Sequence, residues 1–362
     1  PLEIVAYEIK SIDLKLIEPM RLPFGEVSMR PSGILKITLR LNNQIVEGYG
    51  EGATLPWPVF TDDSGETIVE ASSSIIENIQ DSGDMRLADC LSDVQDFKFP
   101  GKKRYPTARM MVEMGLLDAY SKGLGMSVKN LLGVPEDRVS VPYGKSLGEG
   151  NSDEIISSAV KAVESGARKI KIKISPLSYR EVIKAVKYLQ SLGNIEIMVD
   201  ANGSFDPGDD GHIDILKDID SLGLLMIEEP ASRVGEIKGL EAVRKLRKRL
   251  PLSTPICLDD CLVDLASTQR ALDENLADII NIKPGRIGSI EKCLEIGLRC
   301  KNKGKQIMVG GMLEATPGRC MTVTLASFFH NLGFSIPGDL SLSQERLQDD
   351  LVEHERQLSY SS

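Results

Sequence analysis

A chain of 362 residues with 53 carboxylates against 43 Lys plus Arg is acidic, and no basic, aromatic-interleaved stretch offsets that charge, which argues against nucleic acid as a partner. Hydrophobic content of 41% and charge of 27% are those of a globular protein, and the length implies about two domains. No apolar run is long enough to span a membrane, the first residues lack the basic flank of a signal peptide, and the six cysteines lack a zinc-type spacing. The expectation is a cytoplasmic protein with reduced thiols.

Residues 1–55 alternate apolar and polar with period two. Ile34–Leu41 and Gln44–Glu51 flank Asn42-Asn43, which predicts a hairpin with a two-residue turn. The first strand adds to it, giving a small antiparallel sheet. Residues 21–27 read as a Pro/Gly loop within the sheet. Pro56-Trp57-Pro58 reads as a second stiff loop, with Trp57 either an anchor of that surface loop or, together with the 21–27 loop, part of a lid over a neighbouring site. Residues 64–81 and 105–124 show helical periodicity, the second apolar on most faces, with its methionines as core filler. An α+β domain over residues 1–125 follows.

From Val139 strand and helix alternate strictly. Strands are predicted near 139–144, 168–174, 195–200, 224–228, 255–259, 278–283 and 306–309, with a weak eighth at 333–336. Seven clear units and a weak eighth favour a modified β/α barrel over 126–335; a doubly wound sheet is the alternative. The polar segment 336–362 is expected to pack back on the first domain.

Ionisable residues end these strands. Lys173, Asp200, Glu228, Asp259 and Lys283 each close a short apolar run, and in a parallel barrel all such ends face one mouth. Asp200, Glu228 and Asp259 are hard oxygen donors without a nearby histidine, which suits Mg²⁺, with Mn²⁺ as a substitute. In Lys169-Ile-Lys171-Ile-Lys173 the isoleucines face the helices and the lysines the interior. Lys173 is nearest the mouth; crowding by Lys171, Lys283 and a dication should lower its pKa and make it a base. Lys283, four strands further round, should face it. A base on either side of a substrate carboxylate suits removal of the α-proton, the charge of the enediolate being stabilised electrostatically. Ser146 and Asn202 are neutral donors at other strand ends. Gly310-Gly311-Met312 either opens a helix whose amides could bind a second carboxylate or forms a tight turn that needs glycine. The Gly48–Gly52 run lacks the third glycine of a dinucleotide loop.

These motifs together resemble the enolase superfamily, and within it the o-succinylbenzoate synthase / N-acylamino acid racemase branch. Those carrying the resemblance are Lys171-Ile-Lys173, Asp200-Ala-Asn202-Gly-Ser, Ile227-Glu228-Glu-Pro, Leu258-Asp259-Asp260, Asn281-Ile-Lys283-Pro-Gly-Arg286 and Gly310-Gly311-Met312-Leu-Glu. The resemblance implies Lys173 as the α-proton base, Lys283 opposite it, and Asp200, Glu228 and Asp259 as Mg²⁺ ligands. Loops around Phe24 and Trp57 would close over the substrate, with Ser146, Gly311 and Met312 around it. Arg286 resembles an arginine of racemase-competent members. Glu229 stands where the family usually has Gln, Asp260-Cys261 where it has Glu-Ser, and Ala315-Thr316-Pro317 where it often has Thr-Gly-Ile.

The reaction implied first is α-proton abstraction and β-elimination of water, a lyase reaction giving o-succinylbenzoate for menaquinone synthesis. An N-succinyl or N-acylamino acid racemase, alone or as a second activity, is the alternative. A dipeptide epimerase ranks lower, because Gly338-Asp-Leu-Ser lacks an Asp-x-Asp pair. A non-catalytic scaffold ranks last, since unpaired charges at a barrel mouth are costly. The expected partner is a small carboxylate, with no nucleic acid and no membrane; a homo-oligomer is left open.

Overall fold

The computed structural model describes residues 1–22, 25–134, 140–193, 195–343 and 346–348. The N-terminal sheet is antiparallel, in the order β1 (Leu2–Leu22), β2 (Gly25–Leu41), β3 (Gln44–Ala53). Asn42 and Asn43 turn the hairpin at φ 49° and 65°, the left-handed pair that a two-residue turn requires. Against it lie α1 (Thr67–Gln80), α2 (Leu87–Asp96) and α3 (Pro106–Gly123). The glycines of β3 let α3 approach: a Cβ at Gly50 would sit 2.0 Å from the Met111 carbonyl oxygen, and one at Gly48 2.3 Å from that of Gly115. The Gly-x-Gly-x-Gly run is therefore a helix seat. Met110, Met111 and Met114 are buried as filler. Helix α2 had no sequence expectation, its charged surface leaving only Cys90 and Val94 buried. The anticipated 21–27 loop is shorter, with β1 running to Leu22 and β2 resuming at Gly25.

After the single turn α4 (Val128–Leu131) the barrel begins. Its strands are β4 (Gly144–Leu147), β5 (Lys169–Lys173), β6 (Glu196–Asp200), β7 (Ile227–Glu228), β8 (Ile256–Leu258), β9 (Ile279–Ile282), β10 (Gln306–Val309) and β11 (Ser335–Ile336). They pair in parallel and in sequence order. A parallel bridge between Tyr143 and Gly338, with the Gly144 N–H donating to the Gly338 carbonyl at 2.6 Å, joins β11 back to β4. The first barrel strand thus lies later than the expected 139–144, and residue 139 falls outside the described residues. Helices α5 (Ser152–Glu164), α6 (Tyr179–Ser191), α7 (Asp210–Asp220), α8 (Gly239–Arg249) and α9 (Leu265–Asp273) cover the outside. So do the one-turn α10 (Pro284–Ile287), α11 (Ile290–Asn302) and α12 (Thr316–Asn331). Asn151 caps α5 with a reciprocal bond to Glu154.

Ile170, Ile172 and Ile174 pack outward with Ala159, Val182 and Val186 of the helices, as alternation requires. Inside, Met198, Met226, Cys257, Ile279 and Met308 form an apolar floor. The C-terminal residues 346–348 run back along the N-terminal sheet: the Ile17 N–H donates to the Arg346 carbonyl at 2.7 Å and the Gln348 N–H to that of Lys15 at 2.9 Å. This is a modified β/α barrel capped by an α+β layer. No described helix is long and apolar enough to cross a membrane.

Candidate active site

Register brings the strand ends together. Lys173 pairs with Asp200, Asp200 with Glu228, and Glu228 with Cys257, two residues before Asp259. Lys283 follows β9 as the N-cap of α10. All five side chains are buried or nearly so.

Each carboxylate holds a cation. The Lys173 Nζ donates to Asp200 Oδ2 at 2.5 Å and to Asn202 Oδ1 at 2.8 Å. The Lys171 Nζ lies 3.1 Å from Glu228 Oε2, 3.4 Å from Asp200 Oδ2 and 2.5 Å from Asp339 Oδ2. The Lys283 Nζ donates to Asp259 Oδ2 at 2.5 Å, and Arg286 binds the other oxygen of Asp259. Lys169, fully buried, reaches Asp339 at 3.3 Å just above the apolar floor.

Burial works to raise the Asp200 carboxyl, but Lys173 and Lys171 outweigh it and hold it below its usual range. Burial likewise opposes, and Arg286 and Lys283 overcome, at Asp259, which stays well below. Glu228 is the exception: burial and then the Asp200 charge push it up to about 8. Burial would lower Lys171 and Lys283, yet the carboxylates around each raise both. The lysine neighbours of Lys173 are therefore neutralised by carboxylates, contrary to the expected crowding of bare ammonium groups.

Among the described residues, no three His, Cys, Asp or Glu side chains form a ready-made ion-holding group. The carboxylates are turned to the lysines instead. Their chemistry nevertheless fits a hard divalent ion: Asp200, Glu228 and Asp259 are buried oxygen donors on consecutive strands, and Glu228 lacks full compensation for its charge.

A cavity of about 90 Å³ opens at the mouth. Lys171, Lys173, Lys283, Ser146, Asn202, Arg286, Gly311 and Met312 line it. Ser146 sits within β4, in register with Lys171, instead of following the strand. The Arg286 guanidinium is fixed by Asp259, the Asn281 carbonyl at 2.7 Å and the Leu262 carbonyl at 2.9 Å. Gly311 and Met312 do not open a helix. Helix α12 starts only at Thr316, and the Met312 N–H donates to Glu314 Oε1 at 2.8 Å. The amides near the start of α12 are also spent: Ala315 and Gly318 donate to Glu51 of β3 at 2.9 and 2.8 Å.

Phe24 lies outside the described residues. Trp57 does not line the cavity; it packs with Leu14, Val27 and Leu55 in the cap. Phe60, three residues on, takes the place expected of it, its ring 5.8 Å from the Lys283 ammonium and 4.8 Å from the Arg233 guanidinium. Asn281, Glu229 and Asp260 stand in the sequence motifs without an assigned site role, and the structure gives each one. Asn281 donates to Glu228 Oε1 at 2.7 Å; its position two residues before Lys283 in an apolar run is a signal of the same kind as the alternating lysines. Glu229, at φ 42°, accepts the Asp259 N–H at 2.7 Å and so holds the Asp259 turn. Asp260 takes Asn202 at 3.1 Å and Arg233 at 3.4 Å, while Lys283 takes Asp259.

Known proteins resemble this chain over most of its length. Residues 154–359 match the family model described as enolase C-terminal domain-like. The chain is 32% identical over 311 residues to the o-succinylbenzoate synthase of Bacillus subtilis (strain 168), covering 85% of this chain and 77% of that protein. It is 29% identical over 351 residues to an N-succinylamino acid racemase of Amycolatopsis sp, covering 96% and 88%. The muconate lactonizing enzyme of Pseudomonas fluorescens shares the fold, with a TM-score of 0.83, 21% identity, and coverage of 96% and 90%.

Proposed function

Because this chain belongs to the enolase superfamily, in its o-succinylbenzoate synthase / N-acylamino acid racemase branch, we propose that it removes the proton α to a substrate carboxylate and expels water from the β-carbon, giving o-succinylbenzoate. The observation that carries this reading is the pair Lys173 and Lys283. They stand at the ends of β5 and β9, with β6, β7 and β8 between them in the ring, so their ammonium groups reach the cavity from different sides.

In the proposed mechanism Lys173, once neutral, takes the α-proton, and Asn202 orients its nitrogen. Lys283, charged and held by Asp259, stabilises the developing enediolate and supplies the opposite face. Asp200, Glu228 and Asp259 would hold Mg²⁺, which supplies Lewis-acid stabilisation of the substrate carboxylate. Phe60 and the apolar cap residues Met20 and Leu22 exclude water. The electrons of the enediolate then form the last ring double bond as the β C–O bond breaks, and the hydroxyl leaves as water with the proton that Lys173 took, so the ring becomes aromatic and no oxidant is required.

The symmetry of the two lysines also supports racemisation of an N-succinyl amino acid, and Arg286 on Asp259, the carboxylate that holds Lys283, is the feature that favours it. The test uses the purified protein with Mg²⁺. Loss of the cyclohexadiene absorbance and optical rotation of N-succinyl amino acids are followed in parallel. Dehydration alone is the expected result, dehydration with racemisation adds a second activity, and racemisation alone replaces the first reading by the second. No turnover of either substrate, with no exchange of the α-proton in heavy water, sinks both.

A further inference from the structure

Beside the N-terminus of α3, where the cap meets α10 and α11, lies a second cavity of about 430 Å³ that shares no lining residue with the barrel mouth. Lys98, Lys102, Lys103, Arg104, Arg109 and Lys292 line it, and no carboxylate does. In a chain with a net charge of −10, that convergence is unlike the rest of the surface, where the basic residues mostly alternate with acids, as in the Glu241–Arg244–Glu274 network.

Two of the six cations are already paired, Lys103 with Asp62 at 3.3 Å and Arg104 with Asp264 at 3.6 Å. The others form no ion pair among the described residues. The Lys292 ammonium donates to the neutral Gln95 at 2.9 Å. Arg109 spends its donors on the backbone carbonyls of Arg104, Val94 and Phe97, so its charge is held in place, and the carboxylates that act on it, Asp63, Asp96 and Glu113, stay outside the lining. Lys98 and Lys102 are exposed. Such a field lowers the energy of a ligand bearing several anionic oxygens. The wall between the cations is aromatic: Phe97 and Phe99 pack edge to face at 4.8 Å, and Phe99 lies under the Arg109 guanidinium at 5.1 Å. A half-buried aromatic wall beside cations suits a flat organic body attached to the anionic group. The volume is within the roughly 300–1,000 Å³ of small-molecule sites.

We propose that this cavity binds a small organic polyphosphate of the nucleotide type. Ile287, at its edge, ends the turn that begins at Lys283, and the Thr107 hydroxyl at the start of α3 donates to the Gly285 carbonyl at 3.0 Å. A ligand there touches both sides of the joint between the cap and the loop carrying Lys283.

Calorimetric titration with ADP tests the site, done without divalent ions so that no metal bridges phosphate to the barrel mouth. Saturable binding of one ADP is expected, weakened at least about tenfold in Lys98→Glu/Lys102→Glu and retained in Lys245→Glu/Lys248→Glu on α8, which changes net charge equally. Both lysines of the first variant are exposed and unpaired, so folding and turnover without ADP should be unchanged. Absence of saturable binding would overturn the proposal, as would equal weakening in the two charge-reversed variants. Loss in Lys283→Ala with retention in Lys98→Glu/Lys102→Glu would move the anion to the barrel mouth and overturn it too. Pyrophosphate binding as tightly as ADP would overturn the assignment to an organic ligand.

Discussion

Glu51, at the joint between cap and barrel, and Glu228, at the barrel mouth, are both fully buried carboxylates, yet their surroundings differ in kind. Glu51 has a cation of its own, Arg30 at 2.8 Å, and also accepts from the Ser32 hydroxyl and the amides of Ala315 and Gly318. Every partner is a fixed donor, and the set ties β2, β3 and α12 together. Glu228 shares its cation: Lys171 lies within 3.4 Å of Asp200, Glu228 and Asp339 alike. Burial with dedicated partners makes a rivet, because removing one member strands the other. Burial with shared partners leaves a charge deficit, which an incoming ion or carboxylate can meet with small side-chain movements. Burial alone therefore does not mark a functional charge; competition for counter-charges does.

The comparison predicts separable losses. Lys173→Ala should lower kcat by about 10⁴-fold, the upper end for a general base, while changing the denaturation midpoint less than a rivet variant does. A kcat within tenfold of wild type would remove Lys173 from the base role. Glu51→Gln should do the reverse. Uncompensated Arg30 costs about 3–5 kcal/mol of stability, measured by denaturant unfolding, and turnover of the protein that remains folded should be near normal. Equal damage to turnover and stability in both variants would erase the distinction.

A third carboxylate tests the joint through pH. Glu113 on α3 accepts the Ile290 N–H at 2.8 Å and Gln95 at 2.7 Å, and burial pushes its pKa up from 4.5 to about 7. Its charged form is disfavoured in the fold, so the fold binds a proton that the unfolded chain releases. The penalty is fully present above about pH 7, is relieved as pH falls through 7, and is gone below about 4.5. At ~1.4 kcal/mol per unit this is on the order of 3 kcal/mol. Glu113→Gln should flatten stability between pH 5 and 8, read from urea midpoints. An unchanged slope would show that the carboxylate is compensated at all pH values.

What was legible in the sequence follows the same division. The strand-end ions were visible because the parallel barrel forces alternation and a common mouth, so spacing alone assembled Lys173, Asp200, Glu228, Asp259 and Lys283. Strand β11 was faint because only Ser335 and Ile336 pair, and barrel closure rests on Tyr143 and Gly338. Positions set by loops were not legible. The sequence leaves Trp57 between loop anchor and lid and gives no sign of Phe60, since period gives no direction to a side chain in an irregular segment. The helix start expected at Gly310 moved to Thr316, because Glu51, more than 260 residues earlier in the chain, supplies the acceptor for its amides. A rivet between distant segments leaves no local pattern.

Phe60 is the one described aromatic of the cap seen over the mouth charges, and it gives the finest test of the contrast. Its ring lies 5.8 Å from Lys283 and 4.8 Å from Arg233, distances at which a ring face attracts a cation by about 0.5–2 kcal/mol. Phe60→Leu keeps an apolar wall but removes that attraction. If the mouth charges are free to change partners, Lys283 should then sit more firmly on Asp259, and the substrate carboxylate must compete harder for it. KM should rise about three- to tenfold, in line with a loss near 1 kcal/mol, with kcat altered less and the unfolding midpoint unmoved. A fall in kcat with KM constant would instead give Phe60 a part in the chemical step. A lowered midpoint with normal kinetics would make it another rivet of the joint.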